Sequence, residues 1–454
     1  MNVSRRSFIG GVASLGVMPT ASASAVAEPS SSIRKISDPA ALIASAPVLQ
    51  NAAETSIGVS FAVSADASGW VEYSVSPDLT DAVKAFSGEH GLMTVDNQVA
   101  LIRLTGLKPA TTYYYRIGAD RIEFRGGYAM KNLGSETDPK IHSFTTLGSS
   151  AKGSFCVIND THNRKDAIAL TLGALAEMKP SVVLWNGDAS NTSEKIEDAI
   201  GIFLHMHPHF PEYASDTPYI FLNGNHDFRG RFNRRLGELM MFREPTERKS
   251  EYAELGRNFV QRLGDIALIG LDTGEDKLDT NPHFAGIFKM KAYREKQAKW
   301  LAEAIETPAV KTAKFKIAFC HIPLFDSDPG ANPGDVAPAD TAPQYRHDFA
   351  IWQRTCAELW GPSFVKAGVQ LVITAHQHVF RYDAPTAERP WAQIVGGGPE
   401  LGFVWGRQPD GTQVKVAHPE RFPTVIEGKV EDGELIVTVR DVLNRKTVLS
   451  VNFS

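Results

Sequence analysis

The residues best suited to chemistry in this chain follow short apolar runs that are typical of buried β-strands. Each run ends in a polar motif; in chain order these are Asp160-Thr161-His162, Gly187-Asp188, Gly224-Asn225-His226-Asp227, His321 and Ala375-His376-Gln377-His378. Ligands of open α/β sheets bind beyond the carboxyl ends of the strands, so the separated motifs can converge on one edge of a domain. Imidazole nitrogens mixed with carboxylate oxygens suit first-row transition metals. The pattern therefore predicts a metal site.

The residue types at this site suit two metal ions. Asp188 has two carboxylate oxygens and can bridge two ions, and the neutral amide of Asn225 limits the total negative charge. Two ions about 3.5–4 Å apart clamp the attacking and leaving oxygens of a displacement reaction. A water that bridges them loses a proton near neutral pH and becomes the nucleophile. The predicted chemistry is hydrolysis.

The elements around the motifs alternate between short apolar strands and helices. The predicted strands are residues 155–158, 181–185, 219–222, 266–271, 315–319 and 369–374, and the predicted helices are 167–178, 293–306 and 348–360. Alternation of this kind predicts a layered α/β domain. Residues 424–454 return to short β runs.

The first 27 residues are predicted to be a targeting segment. The pair Arg5-Arg6 precedes an apolar run of small residues, and Ala25-Val26-Ala27 follows as a cleavage site. This arrangement is typical of a twin-arginine signal peptide. A membrane anchor is the alternative, but the run is shorter than the ~20 residues that a span needs. We expect an exported protein, periplasmic or secreted, without a membrane span after signal removal.

Residues 42–148 show the period-two alternation of β-strands, after a small and polar linker at 28–41. Residues 56–63 and 69–75 alternate clearly, and the run 104–116 and Phe144-Thr145-Thr146 follow. These residues resemble a fibronectin type III sandwich, of the kind that precedes the catalytic domain in plant-type purple acid phosphatases. A sandwich of about 100 residues is physically reasonable. A linker-like composition at 148–153 places the predicted catalytic domain at 149–454.

The polar motifs, taken together, resemble the signature blocks of the calcineurin-like metallophosphoesterase family, in the family's order. The resemblance implies a four-layer α/β/β/α domain that hydrolyses phosphate esters, as a phosphodiesterase or phosphomonoesterase. It implies that one ion is held by Asp160, His162, Asp188 and His378, and the other by Asp188, Asn225, His321 and His376. The two ions would be Fe, Zn or Mn, since mixed nitrogen and oxygen ligands accept each of them.

The same resemblance gives roles to two residues that are not metal ligands. His226 would face the phosphate and assist the leaving group or the charged transition state. Asp227 would orient the His226 ring.

Two positions depart from the family pattern. The last block begins with Ala375 where Gly is usual, a small change that leaves both histidines in place. Purple acid phosphatases carry an iron-binding Tyr three residues after the Asp of the second block, and here that residue is Asn191. They also lack the His of the first block, which is present as His162. The site therefore resembles phosphodiesterase-type members more, and we predict no tyrosinate-to-iron colour.

Composition sets outer limits on these predictions. A chain of 454 residues usually forms two domains or more. The net charge of −5 gives no basic field for nucleic acid, so phosphate handling would depend on local positive charge or on metal ions. The three cysteines, Cys156, Cys320 and Cys356, are an odd number in apolar runs, which predicts buried free thiols.

Several features leave two interpretations open. Arg164, Arg229 and Arg231 would either contact the substrate phosphate or be solvated surface charges. Residues 326–338 would either cover the site or form a passive insertion, and Gly396-Gly397-Gly398 would either let backbone approach the site or form a turn. The alternating histidines of residues 205–209 lack the Asp-His sequel of a metallo-β-lactamase-type site, so we favour a structural role.

A different class of function also fits part of the sequence. The chain would then be a non-catalytic binding or adhesion protein of the cell envelope, with the N-terminal domain as its working part and a decayed phosphoesterase behind it. The intact set of candidate ligands argues against decay.

Overall fold

The computed structural model describes residues 24–29, 41–204, 214–242, 249–284, 286–325, 342–408 and 410–454. Most of the predicted signal peptide and of the 28–41 linker lies outside these ranges, as do the histidines of residues 205–209 and the 326–338 segment.

The N-terminal region is all β within the described ranges, as its period-two alternation predicts. Its strands are β1 Ser24–Pro29, β2 Val48–Gln50, β3 Ser56–Ala62, β4 Ala67–Ser74, β5 Val83–Glu89, β6 Leu92–Met93, β7 Val99–Thr105, β8 Thr112–Phe124, β9 Met130–Thr137 and β10 His142–Thr145. One sheet, the sandwich sheet, has the order β1-β5-β4-β8-β10, with β6 on β5 and β9 on β8.

The following region alternates strands and helices. Its strands are β11 Ser154–Ile158, β12 Val182–Asn186, β13 Tyr219–Leu222, β14 Phe259–Leu263, β15 Ile266–Leu271, β16 Phe315–Cys320, β17 Leu371–Thr374, β18 Arg381–Asp383, β19 Ala392–Val395, β20 Phe403–Arg407, β21 Gln413–Ala417, β22 Thr424–Glu431, β23 Glu434–Asp441 and β24 Lys446–Phe453. Its α-helices are α1 Lys165–Met178, α2 Ile196–Phe203, α3 Met290–Ala304, α4 Pro308–Lys311 and α5 Ala342–Ala367. Short 3₁₀ helices cover His226–Phe228, Phe232–Glu238 and Ser250–Leu255.

Two sheets form the centre of this region. The long sheet has the order β24-β23-β22-β11-β12-β13-β2-β3-β7, and the short sheet has the order β14-β15-β16-β17-β19-β18. Strands β20 and β21 pair with each other as a separate hairpin. The pairs β11–β12, β12–β13, β15–β16 and β16–β17 are parallel, so their carboxyl ends point the same way within each sheet.

Alternate side chains of each strand face opposite layers. Phe155 and Val157 of β11 pack in the core between the two sheets, together with Phe319 of β16. Cys156 and Ile158 pack in a separate cluster with α1 and α2, and the far side of the short sheet packs on α3 and α5. The result is a helix–sheet–sheet–helix stack, which confirms the predicted four-layer α/β/β/α domain behind an all-β region.

The N-terminal region is more tightly joined to this domain than its sequence suggests. Strand β2 pairs in parallel with β13 through Gln50 and Tyr219, so β2, β3 and β7 extend the long sheet. The Tyr115 hydroxyl donates to the Ser215 carbonyl at 2.6 Å. The two regions therefore share one sheet and one core.

Two smaller expectations can also be compared with the structure. Cys156, Cys320 and Cys356 are buried and free, as predicted, and burial raises the pKa of all three thiols. No helix within the described ranges combines the length and apolarity that crossing a bilayer requires.

Candidate metal centre

The polar motifs converge at one edge of the stacked sheets. Asp160 and His162 follow β11, Asp188 follows β12 and Asn225 follows β13, all in the long sheet. His321 follows β16 and the remaining two histidines follow β17, in the short sheet. All seven residues predicted to bind metal lie in this cluster, and the two aspartates are at most 1 % exposed.

The backbone at these residues is unusual for side chains other than glycine. Left-handed φ angles occur at Asp160 (47°), His162 (46°), Asp188 (50°), His376 (71°) and His378 (57°). Each costs roughly 1–2 kcal/mol, and strain of this kind collects where the surrounding structure fixes a functional geometry. Gly187 has φ +85°, and a Cβ there would lie 2.4 Å from the His321 ring, so only glycine fits.

The two buried carboxylates lie at the centre of the cluster. His321 Nε2 is 3.3 Å from Asp188 Oδ2 and 3.7 Å from Asp160 Oδ1. His162 Nε2 is 3.5 Å from Asp188 Oδ2 and 3.6 Å from Asp160 Oδ1. His378 Nε2 is 3.4 Å from Asp160 Oδ1. Asp188 thus faces both halves of the cluster, as a bridging group must.

The far nitrogens of two of these rings are held by protein acceptors. Nδ1 of His162 is 2.7 Å from Oδ1 of Asn191, and Nδ1 of His321 is 2.7 Å from the carbonyl oxygen of Asn186. Each acceptor holds Nδ1, which leaves Nε2 directed at the carboxylates as the atom that can bind a metal.

The last motif is arranged in the same way. Nδ1 of His378 is 2.9 Å from Oε1 of Glu400, so its Nε2 also faces inwards. For His376 the roles of the nitrogens are exchanged: Nδ1 lies 2.9 Å from Oδ1 of Asn225, and Nε2 lies 3.8 Å from Oδ2 of Asp276.

The donor set fits a pair of metal ions. Oδ1 of Asp160 and Nε2 of His321 are buried without a hydrogen-bond partner, and Nε2 atoms of His162 and His378 face each other at 2.9 Å. Such groups are costly to bury unless a cation joins them. Two groups of three residues have their ligand atoms within 4.8 Å of one another, Asp160–His162–His378 and Asp188–His321–His376. Each group belongs to one of the two predicted ligand sets, one set for each ion.

The electrostatics of the cluster also favour bound cations. Burial alone would lower the pKa of His321 and His378, but the carboxylates outweigh it and raise these pKa values to about 9 and about 10. Burial opposes ionisation of Asp160, yet His321 and the other histidines hold its pKa well below the usual range. The carboxylates therefore create a strong negative potential that cations can neutralise.

His226 lies beside this cluster, at its open side. Its backbone N–H donates to Asp188 Oδ1 at 2.8 Å, and its ring Nδ1 is 3.3 Å from the Asn191 carbonyl oxygen. Burial, together with the charge of Arg229, lowers the pKa of His226 to about 4, against the pull of Asp188.

Asp227 is held by backbone groups of two loops. Its carboxylate accepts hydrogen bonds from the backbone N–H of Gly224 (2.9 Å) and of Ser190 (3.2 Å). It joins the loops after β12 and β13, so it positions the loop that carries His226. Burial, and then the charge of Asp188, raise the pKa of Asp227 to about 7.

A cavity of about 370 Å³ opens from the cluster. Its basic lining residues are Arg164, Arg229, Lys277 and Arg421, and Asp188, Asn225, His226, His376 and His378 also line it. The local positive charge that an acidic protein needs to attract phosphate is therefore present.

Two of the three candidate arginines line the cavity, whereas Arg231 has a 91 % exposed side chain and pairs with Glu194. Gly398 favours the close-approach interpretation, because a Cβ there would lie 2.5 Å from the His378 side chain.

The sequence interpretation missed three groups at this site. Glu275, Asp276 and Lys277 follow β15, another strand of the short sheet, so the strand-end rule would have found them. Asn191, which contacts His162, is three residues after Asp188. The family pattern draws attention to this position only because purple acid phosphatases have a tyrosine there. Glu400 lies beyond the end of the parallel strand β19, but its contact with His378 leaves no local signal in the sequence.

Comparison with known proteins agrees with this geometry. The calcineurin-like phosphoesterase family model matches residues 153–380, half of the chain, and the chain belongs to that family. The protein is thus a metallophosphoesterase, a hydrolase of phosphate esters. The model of the purple acid phosphatase N-terminal domain matches residues 46–146. No curated protein matches the chain.

Solved structures share the fold at low sequence identity. The purple acid phosphatase PPD1 from yellow lupin (Lupinus luteus) seeds has 14% identity and a TM-score of 0.59, and the match covers 90% of this chain and 74% of that chain. A structure of PhoD has 10% identity and a TM-score of 0.56, with 91% and 90% covered. At these identities the likeness concerns the fold alone.

Proposed function

We propose that this protein is an exported, dinuclear-metal-dependent hydrolase of phosphate esters. One ion is held by Asp160, His162, Asp188 and His378, and the other by Asp188, Asn225, His321 and His376. The observation that carries the proposal is the orientation of the histidine rings: His162, His321 and His378 each have one nitrogen fixed by a protein acceptor and the other turned towards Asp160 and Asp188. Carboxylate and carbonyl partners of this kind are the usual support of metal-binding histidines.

The residues of the chain divide the remaining work. When bound, the ion pair supplies Lewis acidity and an activated water. Arg229 and Arg164 bind the phosphate oxygens at the cavity wall, and the loop braced by Asp227 holds His226 against the substrate. His226 faces the substrate phosphate and assists the leaving group or the charged transition state, with its ring held by the Asn191 carbonyl oxygen and by Arg229.

The substrate is proposed to be a small or envelope-derived phosphate ester, either a monoester or a diester. The cavity lies at the lower end of the range for small-molecule sites and has a basic wall. The metals are proposed to be Fe, Zn or Mn. Asn191, which takes the place of the purple acid phosphatase tyrosine, contacts His162, so an iron–tyrosinate bond is not part of the proposal.

Export by the twin-arginine route to the periplasm or beyond is part of the same proposal. It is supported by Arg5-Arg6 and by the small-residue cleavage site at Ala25–Ala27. Changing both arginines to lysine should retain the protein, with its signal uncleaved, inside the producing cell. Equal export of this variant and of the original chain, measured by fractionation and intact mass, would exclude the twin-arginine route.

The enzymatic proposal is tested by metal analysis together with hydrolysis of an aryl phosphate monoester and its diester. Asp188→Ala should lose at least one ion per chain and nearly all turnover, whereas Asp441→Asn, a buried carboxylate of β23 that accepts from Asn444, should retain both. Wild-type protein that binds no metal under any loading condition would overturn the proposal and favour the binding-protein alternative.

A further inference from the structure

The β20–β21 hairpin forms one wall of the cavity beside the candidate metal centre. The hairpin pairs with no other described sheet, and its base is fixed by backbone hydrogen bonds between Gly402 and both Arg421 (2.9 Å) and His418 (2.8 Å). Phe403, Val404 and Trp405 line the same cavity as His226, His376 and His378. The apolar wall therefore faces the same cavity as the candidate metal centre.

The wall carries aromatic rings that the fold does not bury. The Trp405 residue is 53% exposed, and its ring meets that of Phe403 edge to face, with centroids 5.8 Å apart and planes at 90°. Large aromatic side chains are usually buried, and exposed apolar surface at a cavity commonly marks a ligand site. Lys415, on the neighbouring strand, places its Nζ 4.2 Å from the Phe403 centroid and 5.6 Å from the Trp405 centroid, so one cation contacts both rings.

The cavity has two chemically different ends. The basic side chains Arg164, Arg229 and Lys277 line it together with the candidate metal centre and suit a phosphate group. The hairpin adds two aromatic rings and Val404, which suit a flat apolar group better than a hydroxylated one. A volume of about 370 Å³ is within the range of small-molecule sites and accommodates one ring system.

We infer that Trp405, with the perpendicular Phe403 ring in contact with it, stacks a planar aromatic group of the substrate, so the enzyme prefers aryl or nucleoside phosphates to small alkyl phosphates. This specificity rests on the proposed function, because it concerns the organic part of the same ester. Stacking on an aromatic side chain is tolerant of which ring is bound, and an aryl group and a nucleobase both satisfy it.

The test compares steady-state kinetics of wild type and Trp405→Ala on three esters: 4-nitrophenyl phosphate, adenosine 5′-monophosphate and glycerol 2-phosphate. KM for at least one aromatic ester should rise on the order of tenfold, with kcat changed less than about twofold, while glycerol 2-phosphate kinetics stay the same. Trp405→Phe should recover most of the loss. Gln413→Ala, at an exposed position of the same hairpin, should behave as wild type.

The two aromatic esters distinguish the source of the ring. Sensitivity of only one of them to Trp405→Ala identifies the ring that the subsite fits, and sensitivity of both indicates a general stacking platform. Unchanged kinetics on both aromatic esters, or an equal loss on all three esters, would overturn the inference, since the hairpin would then be passive or merely structural.

A binding measurement separates this inference from the proposed reaction. Calorimetric titration of metal-loaded protein should give adenosine 5′-monophosphate or phenyl phosphate a lower Kd than inorganic phosphate, and Trp405→Ala should remove that difference. Turnover of none of the esters would count against the proposed function, while the difference in Kd would still support the subsite. Equal Kd values for inorganic phosphate and both aromatic phosphates would overturn the subsite whatever the activity.

Discussion

Nη1 of Arg229 lies 3.1 Å from Nε2 of His226, and the arginine is held there by two buried acids. Its Nε and Nη2 donate to the Glu275 carboxylate at 3.0 and 2.6 Å, and Nη2 also reaches Asp276 Oδ1 at 3.1 Å. Glu275 and Asp276 are almost fully buried, so the arginine is fixed rather than free to sample rotamers. The pair of acids thus positions a cation at the cavity wall and, through it, the His226 ring.

Arg229→Met should lower kcat/KM on the order of 100-fold without loss of bound metal, because it removes a fixed positive charge from the site of developing negative charge. Kinetics on an aryl phosphate and metal content of the same sample provide the measurement. Arg231→Met is the matched control, since that exposed side chain pairs with Glu194 and should leave kcat/KM unchanged. Equal effects of the two substitutions would contradict the role of Arg229.

Glu400→Gln should weaken binding of one metal ion by roughly 10- to 100-fold, because a neutral amide holds the His378 ring less firmly than a carboxylate does. At the surface, Glu420 Oε1 lies 2.8 Å from Nδ1 of His418, as Glu400 Oε1 lies 2.9 Å from Nδ1 of His378. Glu420→Gln is therefore a closely matched control. Titration of metal-free protein with Zn²⁺ or Mn²⁺ measures both. If Glu400→Gln binds two ions as tightly as the control does, Glu400 does not support the site.

Iron-loaded protein should lack the visible charge-transfer band of an iron–tyrosinate bond. The position that would carry the tyrosine is Asn191, whose side-chain oxygen is 2.7 Å from Nδ1 of His162. Absorption spectra after loading with Fe³⁺, at a stoichiometry confirmed by metal analysis, give the measurement. A purple product would mean that a tyrosine reaches the metals from elsewhere in the chain.

The candidate ligands could be predicted from sequence because each follows a buried parallel strand, where chain direction alone brings polar ends together. The same rule applies to Asp276, which follows β15. Its neighbours in the sequence do not form a family motif, so no pattern marks it as a site residue. Glu400 and Trp405 could not be predicted in this way, since their proximity to His378 and to the cavity depends on how the chain returns after β19.

It is likewise easier to predict that a segment forms a β-strand than to predict which strand it pairs with. Alternation in residues 56–63 identifies β3, but nothing in that pattern distinguishes an isolated sandwich from a sheet that continues into the next domain. The join depends on the single register pair Gln50–Tyr219 and on packing across the junction. Asp227 shows the same limit at the scale of one side chain: its partners are backbone N–H groups of two loops, which only the folded chain brings together.

Asp216→Ala should destabilise the junction between the two regions in a pH-dependent way. The Asp216 carboxylate accepts from Ser143 N at 2.9 Å and lies 3.5 Å from His142 Nδ1. Burial opposes its ionisation, but these contacts outweigh burial and lower its pKa. A lowered folded-state pKa contributes stability that is complete above the unfolded value of about 4 and is lost as the pH falls through the folded value.

The free energy of unfolding of metal-free Asp216→Ala should therefore be lower than that of wild type by about 1 kcal/mol or less at pH 7, after allowance for solvent screening of a half-exposed group. The difference should shrink at pH 3. Urea titrations at both pH values measure it, and Glu388→Ala, in an exposed loop, is the control. If the difference in free energy of unfolding between wild type and Asp216→Ala grew as the pH falls, the predicted direction of the pH dependence would be wrong.

Full-length protein should unfold in one cooperative transition, although its sequence suggests two domains. The long sheet runs through both regions, and one apolar cluster joins Val59 and Tyr115 of the N-terminal region to Ile220 and Phe319 of the other. Separating the regions would expose this apolar surface and the edge of β13, so we expect neither region to be stable alone. Calorimetry of the metal-free chain should give a calorimetric enthalpy close to the van't Hoff value.

A substitution at the junction distinguishes shared from independent stability. Tyr115→Phe removes the hydrogen bond to the Ser215 carbonyl and should lower Tm of the whole transition by a few degrees without splitting it. If the N-terminal region were an independent domain, the same change would shift or separate one of two transitions and leave the other in place. A soluble fragment of residues 149–454 with native-like unfolding would argue for that independence, because the exposed β13 edge should instead lead the fragment to aggregate.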